Sequence, residues 1–291
     1  MYILITPAKN EELFLPKVAD SVINQTIKPL VWVIVDDGST DGTPDIIKNL
    51  KCQYHWIKSI RLPPHPWDIT FHYSYVCKNG FDYVVQLCEK NSIKYNFIGL
   101  LDADTVLEKT FAEKLLLEFY KNKHLGIASG DTTYIQEGEI CWNNIINNEP
   151  DKRLPSGSGR FWRKECFFET DGYLVEPAPD SISSVKAILK SWDIRRFGHI
   201  RAIQLRQASS GRGLWNGFWI NGKIAYYLNK HPLLVLLGSF FYLTQNPYYI
   251  GFAYFCGYIQ EWFKGSEKIN DPEIRDYYWN KKLYEWIHNF S

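Results

Sequence analysis

The sequence holds one methionine in 291 residues and no Cys-x-x-Cys pair among its six cysteines. The missing pairs exclude a zinc knuckle and a thioredoxin-type redox motif. Cys52, Cys77, Cys88, Cys141, Cys166 and Cys256 are scattered without pattern, which fits a reducing compartment better than a disulfide framework. No apolar run approaches the roughly 20 residues of a membrane-spanning helix. Leu233 to Leu243 and Tyr248 to Ile259 are both shorter. The opening stretch, Met1 to Pro7, has no basic flank and breaks at proline, so it reads as a first strand rather than a leader peptide. The expected place is therefore the cytoplasm or the cytoplasmic face of a membrane. No Gly-x-Gly-x-x-Gly follows that strand, which argues against a dinucleotide-binding dehydrogenase, and no Gly-x-x-x-x-Gly-Lys-Ser/Thr exists, which argues against a P-loop NTPase. There is no internal repeat.

What is present is an ordinary globular composition, 45% hydrophobic and 22% charged. Short apolar runs alternate with helical stretches through the first half. Strands are expected at Tyr2 to Thr6, Leu30 to Val35, Tyr54 to Leu62, Phe97 to Leu101 and Leu125 to Ser129. Helices are expected over Glu11 to Gln25, Thr43 to Leu50, Asp68 to about Asn91, with Gly80 a weak point, and Lys109 to Lys121. This alternation implies βαβ units, an α/β fold and a mostly parallel central sheet flanked by helices. Residues 136 to 163 are rich in Gly, Asn, Pro and Ser and read as loop. A helix is expected over Ser181 to Ser191 and a strand over Ile194 to Ile203.

The net charge of +1 conceals a strong segregation. Residues 1–180 carry −6, from 19 basic and 25 acidic residues; residues 181–230 carry +8, from nine basic residues and Asp193; residues 231–291 carry −1. Nucleic acid is not expected as a partner.

In parallel sheets ligands bind beyond the carboxyl ends of the strands. Three clusters fall there: Pro7 to Glu12, Asp36-Asp37-Gly38-Ser39 and Asp102-Ala103-Asp104. The Asp-x-Asp spacing aims two carboxylates at one site, and hard divalent cations take oxygen ligands of this kind. By itself the spacing reads as a solvated loop pair; its place at the end of a buried strand gives the two readings equal weight. Asp36-Asp37-Gly38 alone reads as an Asp-Gly turn with Ser, Thr and Asp capping the next helix.

Taken together, the stretches Ile5 to Glu12, Ser21-Val22-Ile23-Asn24-Gln25, Val35 to Asp41 and Leu100 to Asp104 resemble the family 2 glycosyltransferases of the GT-A fold in order and spacing. The likeness is firm over about residues 1–130, looser to about 232, and general beyond. It implies a catalytic domain over 1–208, with a nucleotide-sugar part of about 1–130 and an acceptor part of about 131–208. A helical, aromatic-rich extension, 209–291, follows. It implies inverting transfer of a hexose-like sugar from a nucleotide-sugar, UDP- or GDP-linked, to an acceptor hydroxyl, with Mg²⁺ or Mn²⁺; the C-terminal tail points to a glycan or lipid-linked glycan as the acceptor. By position, Pro7, Ala8, Asn10, Glu11, Asp37, Asp102 and Ala103 would line the nucleotide. Asp102, Asp104 and His199 would hold the metal, and Arg201, Arg206 and Arg212 would offset the diphosphate. Gly157, Ser158, Gly159 and Trp162 resemble the acceptor segment. Asp180 would be the general base, although Pro179 stands where the family usually has an acidic residue; Asp171, Glu176 and Asp193 are rivals, and Asp180 could instead cap its helix. A Gln-x-x-Arg-Trp motif, typical of processive members, is absent; Gln207 is followed by Ala-Ser-Ser.

Aromatic residues crowd the C-terminal part, among them Trp215, Trp219, Phe240, Phe241, Tyr248, Tyr249 and Trp262. With the basic block before them they point to peripheral contact with a membrane interface. Packing in the core or against a second copy of the chain is the alternative. Two other functions compete. A sugar nucleotidyltransferase would carry a Gly-rich, Arg-containing loop after the first strand, which Pro7 to Glu11 lacks. A non-catalytic carbohydrate-binding or membrane scaffold would have little use for both Asp102 and Asp104.

Overall fold

Strands β1 (Tyr2–Ala8), β2 (Trp32–Asp36), β3 (Ile57–Arg61) and β4 (Phe97–Leu100) pair in parallel in the order β3-β2-β1-β4. The computed structural model describes residues 1–65, 71–136, 139–141, 154–206 and 213–288. Both faces of β1, β2 and β4 are covered, which is why they read as apolar runs, whereas β3 at the edge is mostly half-buried. Successive residues of β1 point to opposite faces. Tyr2 and Leu4 pack with Val18 and Val22 of α1 (Leu15–Ile23) and Leu115 and Phe119 of α4 (Phe111–Lys121). Ile3 and Ile5 pack with Val76, Phe81 and Val84 of α3 (His72–Lys90). Gly80 lies where α3 meets the sheet: a Cβ there would stand 2.7 Å from Val35 Cγ2. The expected weak point is thus the place of closest helix–sheet approach. The expected start of this helix at Asp68 lies outside the described residues.

The second half of the sheet is mixed. After α2 (Thr43–Gln53) and the short β5 (Thr105–Leu107), β6 (Leu125–Gln136) is followed by β7 (Glu139–Cys141), its antiparallel neighbour. Then β8 (Arg160–Arg163) inserts antiparallel between β4 and β6. After α5 (Lys164–Glu169) and α6 (Pro179–Leu189), β9 (Asp193–Gln204) runs parallel to β6 and antiparallel to β5. The loop expected over 136–163 is therefore corrected at 139–141 and 160–163. Arg160 is fully buried in β8, and a charged residue at a core position breaks the pattern by which strands are recognised.

The chain divides into two units, Met1–Arg206 and Gln207–Ser291. The second is helical: α7 (Leu214–Tyr227), α8 (Pro232–Leu243), α9 (Tyr249–Lys264), α10 (Pro272–Asp276), a π-helical turn over Tyr277–Lys281, and α11 (Lys282–His288). Gly222 and Gly257 let α7 and α9 touch, since a Cβ on either would strike the other helix's backbone at Tyr254 or Trp219. Among the described residues no helix is long and apolar enough to cross a membrane.

Candidate active site

The carboxyl ends of β1, β2 and β4 lie side by side, so the turns that follow them converge. These turns are tied to each other by backbone groups. Asp37 donates its N–H to the Ala8 carbonyl at 2.9 Å and Leu101 to Ile5 at 3.0 Å. Asn10 holds a left-handed backbone, φ 55°, and its Oδ1 accepts the Thr40 N–H at 2.8 Å. Glu11 donates its N–H to the Thr43 hydroxyl at 2.7 Å. Gly38 is also left-handed, φ 61°, and a Cβ there would stand 2.6 Å from Pro64 Cα, so both conformation and space demand glycine.

The two neighbouring aspartates have different fates. Asp36 pairs with Arg61 at 2.8 Å and accepts the Ser39 N–H at 2.9 Å, a structural role. Buried Asp37 accepts from Lys9 Nζ at 2.9 Å and from His72 Nε2 at 2.8 Å. Lys9 also donates to the His65 carbonyl at 2.6 Å, and the His65 and His72 rings stack with centroids 4.1 Å apart. Pro7 and Ala8 end β1 beneath this cluster.

Asp102 and Asp104 project from the turn after β4. Burial, reinforced by the charge of Asp104, pushes the Asp102 carboxyl up to about 7, against the hydrogen bond from Tyr73 Oη at 2.7 Å. Ala103 between them is buried. Burial likewise pushes Glu11 up to about 7, with Arg206 opposing. Arg206 links two of these acids: Nε donates to Asp104 Oδ2 at 2.7 Å, and Nη2 donates to Glu11 Oε1. Glu11 Oε2 is buried without a hydrogen-bond partner. Three carboxylates facing a single arginine leave uncompensated negative charge, and an oxygen-ligand set of this kind fits a hard divalent cation. Among the described residues no three metal-ligating side chains are already gathered as a preformed cage.

The third component comes from the segment before β8 and from α6. Asp102 donates its N–H to Ser158 Oγ at 3.0 Å. Gly157 faces Asp180, and a Cβ at 157 would stand 2.5 Å from Asp180 Oδ2. Gly159, φ 67°, turns the chain into β8. Asp180 lies in the first turn of α6 behind Pro179, and its carboxylate accepts from Tyr173 Oη at 3.4 Å rather than capping the helix. Burial raises its pKa, while the Arg160 guanidinium and the Tyr173 hydrogen bond act the other way. Asp102 feels the negative charge of Asp180, which puts the three aspartates in one electrostatic cluster.

Two expectations are corrected. Trp162 has no exposed surface; it packs edge-on against Phe81, Phe167 and Tyr173 and belongs to the core. His199 is exposed on β9, with its Nε2 3.9 Å from Glu118 Oε1 on α4. Gln204, not His199, is the β9 residue opposite Thr105, and five residues of strand span roughly 16 Å. His199 is therefore away from the aspartates. Arg201 is exposed on β9 and donates its backbone N–H to Glu108 Oε1 at 3.0 Å. Arg212 and Gln207 lie outside the described residues, whereas Asp171 pairs with Lys186 at 2.6 Å and Asp193 accepts from Asn122 Nδ2 at 2.7 Å. Lys9, His72, Tyr73, Tyr173 and Arg160 were not expected at the site. Lys9 and Arg160 lie inside matching stretches; His72, Tyr73 and Tyr173 carry no local signal.

Residues 3–65 match the sequence profile of the family described as Glycosyl transferase family 2. The chain is 26% identical over 263 residues to the minor teichoic acid biosynthesis protein GgaA of Bacillus subtilis, covering 82% of this chain and 55% of that one. The chain spans about half, or less, of the length of the curated relatives it matches. In structure it is similar to S. aureus TarS 1-349 in complex with UDP-GlcNAc, with TM-score 0.53 and 14% identity over 99% of this chain and 78% of that one. It is also similar to the mannosyltransferase PcManGT from Pyrobaculum calidifontis in complex with GDP-Man and Mn²⁺, with TM-score 0.54 and 13% identity over 99% and 79%. At these identities the structural likeness shows the fold.

Proposed function

The chain belongs to glycosyl transferase family 2, and from that premise we propose that it moves a sugar from a UDP- or GDP-sugar to an acceptor hydroxyl with inversion. The observation that carries this reading is the convergence of Asp102, Asp104 and Asp180 beyond the carboxyl ends of the parallel strands. The cluster of Lys9, Asp37 and His72, drawn from the ends of β1 and β2 and the start of α3, offers a carboxylate and a cation to a nucleobase. Asp102 and Asp104 would hold a divalent cation, as the Mn²⁺ of the mannosyltransferase complex supports. When bound, that cation offsets charge on the departing diphosphate. Arg206 brings a further positive charge to the same carboxylates. Asp180, its pKa raised by burial, takes the proton of the acceptor hydroxyl. The acceptor oxygen forms its bond to the anomeric carbon as the bond to the phosphate oxygen breaks, and the electron pair leaves with the diphosphate. Attack from the face opposite the leaving group inverts the centre. The acceptor would be a glycan or lipid-linked glycan. Titration of UDP- and GDP-sugars with Mn²⁺, followed by transfer assays on Asp180→Asn, tests the reading. Lost transfer with retained donor binding supports it; transfer at the native rate overturns the base assignment.

A specific observation favours membrane contact by the second unit. Residues 232–260 contain no Asp, Glu, Lys, Arg or His. Yet Leu236, Phe240, Phe241, Tyr248, Tyr249 and Phe252 are exposed on α8, α9 and their connection. In-plane attachment to one leaflet, on the cytoplasmic side where Cys52, Cys77, Cys88, Cys166 and Cys256 stay free, accounts for an uncharged exposed face. Flotation with anionic vesicles is the test. Failure to float, with a dimer in sedimentation, would assign the face to a second copy of the chain.

A further inference from the structure

Arg160 is fully buried in the middle of the sheet. Among the described residues no carboxylate lies within ion-pair distance of it, and its Nε and Nη1 have no hydrogen-bond partner. A buried guanidinium is costly unless something needs its charge. The guanidinium lies 5.0 Å from the Trp162 ring centroid, and its hydrogen bonds lead toward α6. Nη2 donates to the hydroxyls of Ser183 at 3.1 Å and Ser184 at 2.6 Å. A hydroxyl accepts and donates at once, and both serines donate onward to the Asp180 carbonyl, at 3.2 and 2.8 Å. A relay thus runs from β8 into the first turn of α6, which carries Asp180. Three residues before Arg160, Gly157 is the surface on which the Asp180 carboxylate rests. One short segment therefore holds Asp180 by its backbone and by its side chain.

We infer that Arg160 is a positioning residue for Asp180: it sets the first turn of α6 through Ser183 and Ser184 and supplies, from inside the core, the positive charge that faces the carboxylate. The inference rests on the reading of Asp180 as the general base. The other groups around Asp180 give no such help. Tyr173 offers a long hydrogen bond from the loop before α6, and Asp102 contributes negative charge from the turn after β4. Tyr73 and Cys77 of α3 are buried and uncharged in their ordinary state. Arg160 is the one cation among them, opposing the burial that raises the Asp180 pKa.

The test compares Arg160→Met, which removes charge and relay, Arg160→Lys, which keeps the charge, and the double variant Ser183→Ala/Ser184→Ala, which breaks the relay alone. An opposite charge close to a carboxylate is worth about one to three pKa units. In Arg160→Met the acid limb of the kcat profile moves up by about one unit or more, and kcat below that limb falls about tenfold per unit, with donor KM unchanged. Arg160→Lys restores the limb. The double serine variant lowers kcat without moving it. A folded Arg160→Met enzyme with native kcat and a native acid limb overturns the inference. Should Arg160→Met not fold, a folded double serine variant with native kcat overturns it instead. A native rate in Asp180→Asn would sink the base reading separately. The Asp180 carboxyl carbon, assigned by ¹³C NMR against Asp180→Asn, then still reports the charge, and an unmoved titration in Arg160→Met overturns the electrostatic half.

Discussion

The backbone N–H of Asp102 donates to the hydroxyl of Ser158 at 3.0 Å. This bond fastens the turn that presents the paired carboxylates to the segment that supports Asp180, so the two halves of the site share one rigid seam. Gly157 and Gly159 on either side of Ser158 give that seam its close fit.

Asp104→Asn keeps the size of the side chain and removes its charge. Transfer should fall on the order of a hundredfold or more, and Mn²⁺ titration should lose most of its heat. A variant with native metal dependence would remove Asp104 from the metal role.

Gly157→Ala puts a methyl 2.5 Å from Asp180 Oδ2. Either the carboxylate or the segment must move, and displacements of about 1 Å cost on the order of a hundredfold in rate. The expected outcome is low kcat in a cooperatively folded protein, with donor affinity retained. Unchanged kcat would show that Asp180 tolerates displacement.

The pH response follows from the acids pushed up to about 7, Glu11 and Asp102. Their folded pKa values lie above the ordinary carboxylate range, so the folded state favours their protonated forms. Their contribution to stability is complete below about pH 4 and is lost as pH rises through 7. Between about pH 5 and 8 the metal-free chain should therefore melt at lower temperature as pH rises. Added Mn²⁺ should raise Tm more at pH 8 than at pH 5, because it binds the ionised carboxylates. Equal Mn²⁺ effects at both pH values would contradict this.

Trp162→Ala and His199→Ala separate core from site. Trp162→Ala should cost about 3–5 kcal/mol of stability, read by denaturant unfolding, with no change in acceptor preference. His199→Ala should stay within about 0.5 kcal/mol of the native stability and leave the Mn²⁺ requirement intact.

Residue order alone determined much of this protein. Apolar runs alternating with helical stretches require βαβ units, and that topology brings the ends of β1, β2 and β4 together wherever the details fall. Asp37, Asp102 and Asp104 were thus expected at the site from their positions after strands, and Asp180 from its place at the start of a helix. Tertiary structure decided which of the expected residues meet. Trp162 follows Arg160 by two residues on the same face of β8, and burial on that strand depends on β4 and β6, 64 and 35 residues distant at the paired positions Ile98↔Trp162 and Ile127↔Trp162. His199 is separated from the aspartates by the register of β9 against β5. Tyr73, His72 and Tyr173 reach the site from elements whose local sequence carries no trace of it, and the role of Arg160 shows only once β8 is buried in the sheet. Their partners lie across the fold, and a contact between distant parts of a chain exists only once the sheet has been assembled.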